Sequence, residues 1–215
     1  MKIGILGSGI VGKVLARAFA SEGHTVTLGT RNPGKPELDA FKAENPGIPV
    51  ASFADMAAGA ELIVIAVSGD IAVEAVQLAG LANFEGKTVI DATNPIAKTA
   101  PVNGVLNFFT APNYSLMEEL QKTLPAAKLV KAFSCVGNAH MYKPDFGGQQ
   151  PTMFICGNDE GAKQTVTDIL SSFGWEVEDM GMAESARAIE PLCILWCLPG
   201  FRENRWNHAF KLLKK

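Results

Sequence analysis

Three glycines spaced G-x-G-x-x-G, Gly7, Gly9 and Gly12 in "GSGIVG", form the first pattern in the chain that predicts chemistry. They close a short apolar run, "KIGIL", and open a stretch with Val11, Leu15, Ala18 and Phe19 at helical spacing. A strand that turns into a helix in this way presents unpaired N–H groups and a partial positive charge to phosphate oxygens. Gly7 then permits the tight turn, Gly9 lets the backbone approach a pyrophosphate, and Gly12 lets the helix lie close on the strand.

The second group lies at the end of the next predicted strand, in "GTRNPGK". A dinucleotide-binding unit usually places an Asp or Glu there to hold the ribose 2′-hydroxyl. No acidic residue occurs between Glu22 and Glu37, and Thr30, Arg31 and Lys35 stand in its place. A carboxylate would repel a 2′-phosphate, whereas a guanidinium, a hydroxyl and an ammonium would hold it. Ser8, in the glycine turn, offers a second hydroxyl. These residues predict NADP rather than NAD.

In open α/β sheets the rest of such a ligand lies across the C-terminal strand ends. The ends here read "AVSGD" (66–70), "DATNPI" (91–96) and "FSCVGNA" (133–139). Ala66, Ser68, Gly69 and Gly137 are small enough to admit a flat ring, and Asn94 can hold a carboxamide. No acid–base pair stands out, so no catalytic residue is assigned. Asp91 reads as a structural carboxylate of its own loop, His140 as an exposed loop residue and Cys135 as a small packing residue beside the pocket. The lack of a base suits hydride transfer between two planar rings, which needs alignment more than proton chemistry.

Positioning these residues requires alternating strands and helices. Strands are expected at 2–6, 24–29, 49–52, 61–68, 87–93 and 128–134, with helices at 10–23, 36–44, 53–59, 70–80 and 115–124. Repeated β–α–β units with buried strands predict a doubly wound parallel sheet of the α/β, Rossmann class. The segment 94–113, rich in Pro and Asn, is a long loop of the kind that carries function. Strand, helix and strand follow over 152–157, 159–174 and 176–181. Two helical stretches, "AESARAIEPLCILWCLPG" and "NRWNHAFKLLKK", complete the chain, with Pro191 kinking or starting the first. The C-terminal strands either extend the same sheet or form a small α+β extension. The expected division is a nucleotide-binding domain over 1–137 and an extension over 138–215 that completes the acceptor pocket and a dimer surface. The helix "IEPLCILWCLPGF" is apolar on nearly all sides, as a buried or dimer-forming helix is.

Composition narrows the remaining classes. The 215 residues are 47% hydrophobic and 19% charged, with a net charge of −3, which gives no footprint for nucleic acid. No apolar run approaches the ~20 residues of a membrane-spanning helix, and the glycine-broken N-terminus does not read as a signal peptide. The four cysteines fit no metal-binding spacing, only three histidines are present, and reduced thiols in the cytoplasm are expected.

The segments "KIGILGSGIVGKVLA", "GTRNP", "VIDATNP", "VKAF" and "ARAIEPLCILW…AFKLLKK" give the chain a resemblance over nearly its whole length. It resembles the NADPH-dependent deazaflavin (coenzyme F-420) reductases, and is similar to the cytosolic reductase domain of the six-transmembrane metalloreductases. The resemblance implies a homodimer that passes hydride between NADP(H) and a second ring stacked on the nicotinamide. It implies that Ser8, Gly9, Ile10 and Val11 face the pyrophosphate and that Thr30, Arg31 and Lys35 take the 2′-phosphate. Val67, Ser68, Asn94, Pro95 and Ile96 would line the nicotinamide, and Ser134 and Val136 the acceptor. The resemblance implies a deazaflavin or flavin-type acceptor; archaeal members carry a His-Thr pair where this chain has Ser134-Cys135, and that changed ring contact opens the acceptor to a flavin, a quinone or another small molecule. The metalloreductase likeness would call for a haem-bearing membrane partner. The alternative is a non-catalytic NADP-binding sensor, which would keep the nucleotide site. A dehydrogenase of small hydroxy acids or imines would need a larger helical second domain than the C-terminal residues supply.

Overall fold

The computed structural model describes residues 1–215. Its frame is one eight-stranded sheet in the order β3-β2-β1-β4-β5-β6-β7-β8. In chain order the elements are β1 (Lys2–Leu6), α1 (Ile10–Ser21), β2 (Thr25–Thr30), α2 (Asp39–Glu44), β3 (Val50–Ser52), α3 (Phe53–Gly59), β4 (Leu62–Ile65), α4 (Ala72–Ala79) and β5 (Thr88–Asp91). Next come α5 (Leu116–Thr123), β6 (Lys128–Lys131), β7 (Thr152–Gly157), α6 (Glu160–Ser172), β8 (Glu176–Asp179), α7 (Ala186–Ile189) and α8 (Leu192–Glu203).

β1 to β6 pair in parallel, β7 runs antiparallel to β6, and β8 is parallel to β7. The C-terminal strands thus extend the same sheet. Each central strand is buried on both faces. In β4, Leu62 and Val64 join the core under α1, α2 and α6, while Ile63 and Ile65 join the core under α3, α4 and α5. That double burial is why "LIVI" reads as an unbroken apolar run rather than an alternating one. β1 lies between β2 and β4, so the chain reverses direction across the sheet there and opens a crevice at the strand ends.

Some local expectations changed and one alternative was settled. β4 stops at Ile65 and β5 at Asp91, short of the expected 68 and 93. β6 stops at Lys131, and Phe133 adopts a φ of +61°, which turns 132–134 out of the ladder. Pro191 takes the starting role of its two expected ones, as the N-cap of α8. The tail 204–215, expected as helix, has no regular structure. Asn204 ends α8 in the left-handed conformation. The tail then runs beside β7, with Thr152 N–H donating to the Phe210 carbonyl at 2.9 Å and Leu212 N–H to Thr152 Oγ1 at 3.1 Å. Ala209 and Phe210 pack on the sheet core, and that burial outweighs the helical spacing of "AFKLL".

Candidate active site

β1 ends at Leu6 and the chain turns at Gly7, whose φ of +131° is rarely open to residues with a side chain. A Cβ on Gly7 would lie 2.3 Å from the Ala66 carbonyl oxygen, so the turn packs directly on the end of β4. A Cβ on Gly12 would lie 1.9 Å from the Gly7 carbonyl oxygen, so α1 enters flush against the turn. The N-cap of α1 is Gly9, with no side-chain cap and no acidic residue in the first turn. Space is open where a Gly9 side chain would stand. A helix start left bare in this way is suited to phosphate oxygens.

Thr30 is the last residue of β2 and is buried, and Ser8 Oγ donates to its Oγ1 at 3.1 Å. Arg31 beyond it is exposed and Lys35 half-buried. Neither cation pairs with a carboxylate in the structure. Gly7, Ser8, Gly9, Thr30, Arg31, Lys35, Ala66, Val67 and Ser68 line one cleft of about 210 Å³. Phe53 and Ile71 complete its wall, two residues that sequence reasoning passed over because nothing marks them apart from other core apolar positions. Ile10 stands exposed at the mouth of the turn, Val11 is half-buried, and Gly12 is buried behind them.

The strand ends are linked to one another. A Cβ on Gly69 would lie 2.0 Å from the Asn94 carbonyl oxygen, which seats the end of β4 on the loop after β5. Asn94 Nδ2 donates to the Ser134 carbonyl at 3.0 Å, which ties that loop to the segment after β6. Pro95 is buried and Ile96 half-buried beside it. Asn94 Oδ1 and Ser134 Oγ are buried without a hydrogen-bond partner. Buried polar atoms nearly always have one, so this pair suits a polar group of a ligand.

Beneath these loops lies a buried charge network. Lys131 Nζ contacts Asp91 Oδ2 at 2.8 Å, Glu190 Oε1 at 2.8 Å and the Thr93 carbonyl at 2.9 Å. Asp91 Oδ1 accepts from Thr93 N–H at 2.9 Å and from its hydroxyl at 2.7 Å, so Asp91 has the structural role expected of it. Glu190 accepts from Leu116 and Met117 N–H at 3.0 Å each and so caps the start of α5. Burial pushes the Lys131 ammonium toward neutrality, but Asp91 and Glu190 outweigh it and its pKa lies above the ordinary lysine value. The network fixes the loop that carries Asn94. Sequence reading found Asp91 but missed Lys131 and Glu190, although a lysine inside "KLVKAF" was a visible signal.

Ser134, Cys135 and Val136 are buried, with 2%, 2% and 7% of their surface exposed. Burial pushes the Cys135 thiol up to about 11, which leaves it a packing residue rather than a nucleophile. Gly137 lies under the indole of Trp196, and a Cβ there would stand 2.3 Å from the ring. His140 is half-buried against the Phe146 ring, with centroids 5.0 Å apart. All four cysteines are free thiols.

Comparison with known proteins gives the chain a family. The family model for coenzyme F420-dependent NADP oxidoreductases matches residues 2–95. The chain is 28% identical over 202 residues to the F420-dependent NADP reductase of Methanocaldococcus jannaschii, covering 89% of each. It is 32% identical over 204 residues to the metalloreductase STEAP3 of Rattus norvegicus, which covers 92% of this chain and 38% of that protein. The crystal structure of a candidate F420-dependent NADP reductase from Arthrobacter sp. FB24 matches over 100% of both chains, with 35% identity and a TM-score of 0.93. The chain therefore belongs to the coenzyme F420-dependent NADP oxidoreductase family, and it is an NADP-dependent oxidoreductase.

Proposed function

We propose that the protein moves a hydride between NADP(H) and a deazaflavin or flavin-type acceptor. The observation that carries this reading is the single cleft that gathers the bare helix start at Gly9 with Thr30, Arg31 and Lys35. In it the pyrophosphate lies on Gly7–Gly12, including Ser8, Ile10 and Val11, and the 2′-phosphate between Thr30, Arg31 and Lys35. Ala66, Val67, Ser68, Asn94, Pro95 and Ile96 line the nicotinamide, with Asn94 Oδ1 accepting from the carboxamide. Ser134, Cys135, Val136 and Gly137 form the floor for the second ring.

NADPH supplies the hydride with both electrons, and the one proton that completes the reduction of the acceptor comes from solvent. The side chains bind, align and exclude water, and no side chain has to act as acid or base. Residues 138–215 act as the extension that closes the acceptor side and, through the apolar surface of α8, joins two copies. Four free cysteines support a place in the cytoplasm.

The test is NADPH oxidation with coenzyme F420, FMN, FAD, quinones and ferric chelates in turn. Turnover with the deazaflavin or a flavin is expected. Tight NADPH binding with no turnover on any of them would sink the acceptor assignment and leave the non-catalytic sensor.

A further inference from the structure

Trp196 is buried, with 7% of its surface exposed, yet it belongs to neither core of the sheet. Its indole lies on the backbone of Gly137, where a Cβ would meet three of its ring carbons at 2.3 to 3.1 Å. It therefore covers Gly137 of the floor assigned above to the acceptor, three residues along the chain from the unpartnered Ser134 Oγ.

The indole is held from the other side by the tail. Trp196 Nε1 donates to the His208 carbonyl at 2.9 Å, and His208 Nε2 meets the Trp196 carbonyl at 2.9 Å. The two rings stack with centroids 5.0 Å apart at 26°. Trp206 lies 5.7 Å from Trp196 and rests on Gly200, where no side chain intervenes. These contacts come from an irregular segment beyond a helix end, not from a strand or a helix. An indole seated on a glycine and clasped by such a segment can be displaced without breaking the sheet.

We infer that Trp196 is the specificity-determining gate of the acceptor site, an inference that rests on the acceptor reading above. Its indole holds the place beside Gly137 that a flat, multi-ring heteroaromatic acceptor takes, and the His208 clasp sets how often that place is open. Acceptor affinity is then the intrinsic affinity reduced by the open fraction. Smaller one-ring acceptors need less displacement and are penalised less.

The experiment titrates coenzyme F420 and FMN, by their own fluorescence, into the NADP⁺-saturated protein. Wild type, Trp196→Ala and His208→Ala are compared. Trp196→Ala is expected to lower Kd for both probes about tenfold, and His208→Ala about three- to tenfold, the worth of the one hydrogen bond its side chain makes. The Kd for NADP⁺ is expected to stay within about twofold, because neither residue lines its cleft. Equal or weaker probe binding in the variants, with NADP⁺ binding intact, overturns the gate. So does the absence of probe binding in every protein. Should Trp196→Ala fail to fold, the His208→Ala titration alone decides. Failure of the acceptor reading looks different, since the probes would bind more tightly to the variants yet accept no hydride from NADPH.

Discussion

A lysine ammonium with none of its surface in water survives only where every proton meets an acceptor, and Lys131 meets that condition through Asp91, Glu190 and the Thr93 carbonyl. Its raised pKa keeps it charged below the ordinary value of 10.5, so the network contributes in full at neutral pH and weakens only in strong alkali. Lys131→Met leaves two buried carboxylates without a counter-charge and is expected to cost about 3–5 kcal/mol in urea unfolding. A loss under 1 kcal/mol would contradict the network. The residues proposed to hold the nucleotide could be picked out because they are local: Gly7, Gly9 and Gly12 fall within six residues, and Thr30 and Arg31 are adjacent. Lys131, Glu190 and Trp196 could not, since each gains its role from partners that only the folded chain brings near.

At the scale of elements, α5 is held at its start by two carboxylates that share the work. Ser115 and Glu118 form a capping box, and Arg187 pairs with Glu118 in a contact of 2.5 Å. Arg187, with the Ser115 hydrogen bonds, outweighs burial and holds the Glu118 carboxyl down at about 2 against an ordinary 4.5. A depressed carboxylate stabilises the fold above its unfolded pKa. That stability is therefore present above pH 4.5 and is lost as pH falls toward about 2. Glu118→Gln is expected to lower stability at pH 7 by about 1 kcal/mol and to flatten the acid limb of the stability profile in thermal scans. An unchanged slope between pH 4.5 and 2 would contradict the assigned pairing. Most elements were legible from hydrophobic period, as in β4 and α1. The tail was not, because "AFKLL" has a helical spacing and only its docking beside β7 settles its shape.

Across the whole molecule, the parallel Rossmann sheet followed from its repeated strand–helix units, while the addition of β7 and β8 to the same sheet depended on a pairing that no local pattern fixes. The proposed homodimer has a surface to test. Leu195 and Phe201 on α8 are 54% and 48% exposed, and Val102 and Phe109 of the 94–113 loop are 65% and 48% exposed. Apolar surface of this kind marks an interface when it is contiguous. Sedimentation at micromolar concentration is expected to give a dimer, with Leu195→Glu and Phe201→Glu giving monomers. A wild-type monomer would rule the dimer out.

The central proposal is that Thr30, Arg31 and Lys35 hold the 2′-phosphate of NADP(H). Dissociation constants for NADPH and NADH, read from their fluorescence on wild type and Arg31→Ala, test it. Charge-assisted hydrogen bonds to a 2′-phosphate are worth about 1.5–3 kcal/mol, so wild type is expected to favour NADPH by about 10- to 100-fold. Arg31→Ala should erase most of that preference and leave NADH binding unchanged. Equal affinities in the wild type, or NADPH binding untouched by Arg31→Ala, would contradict it.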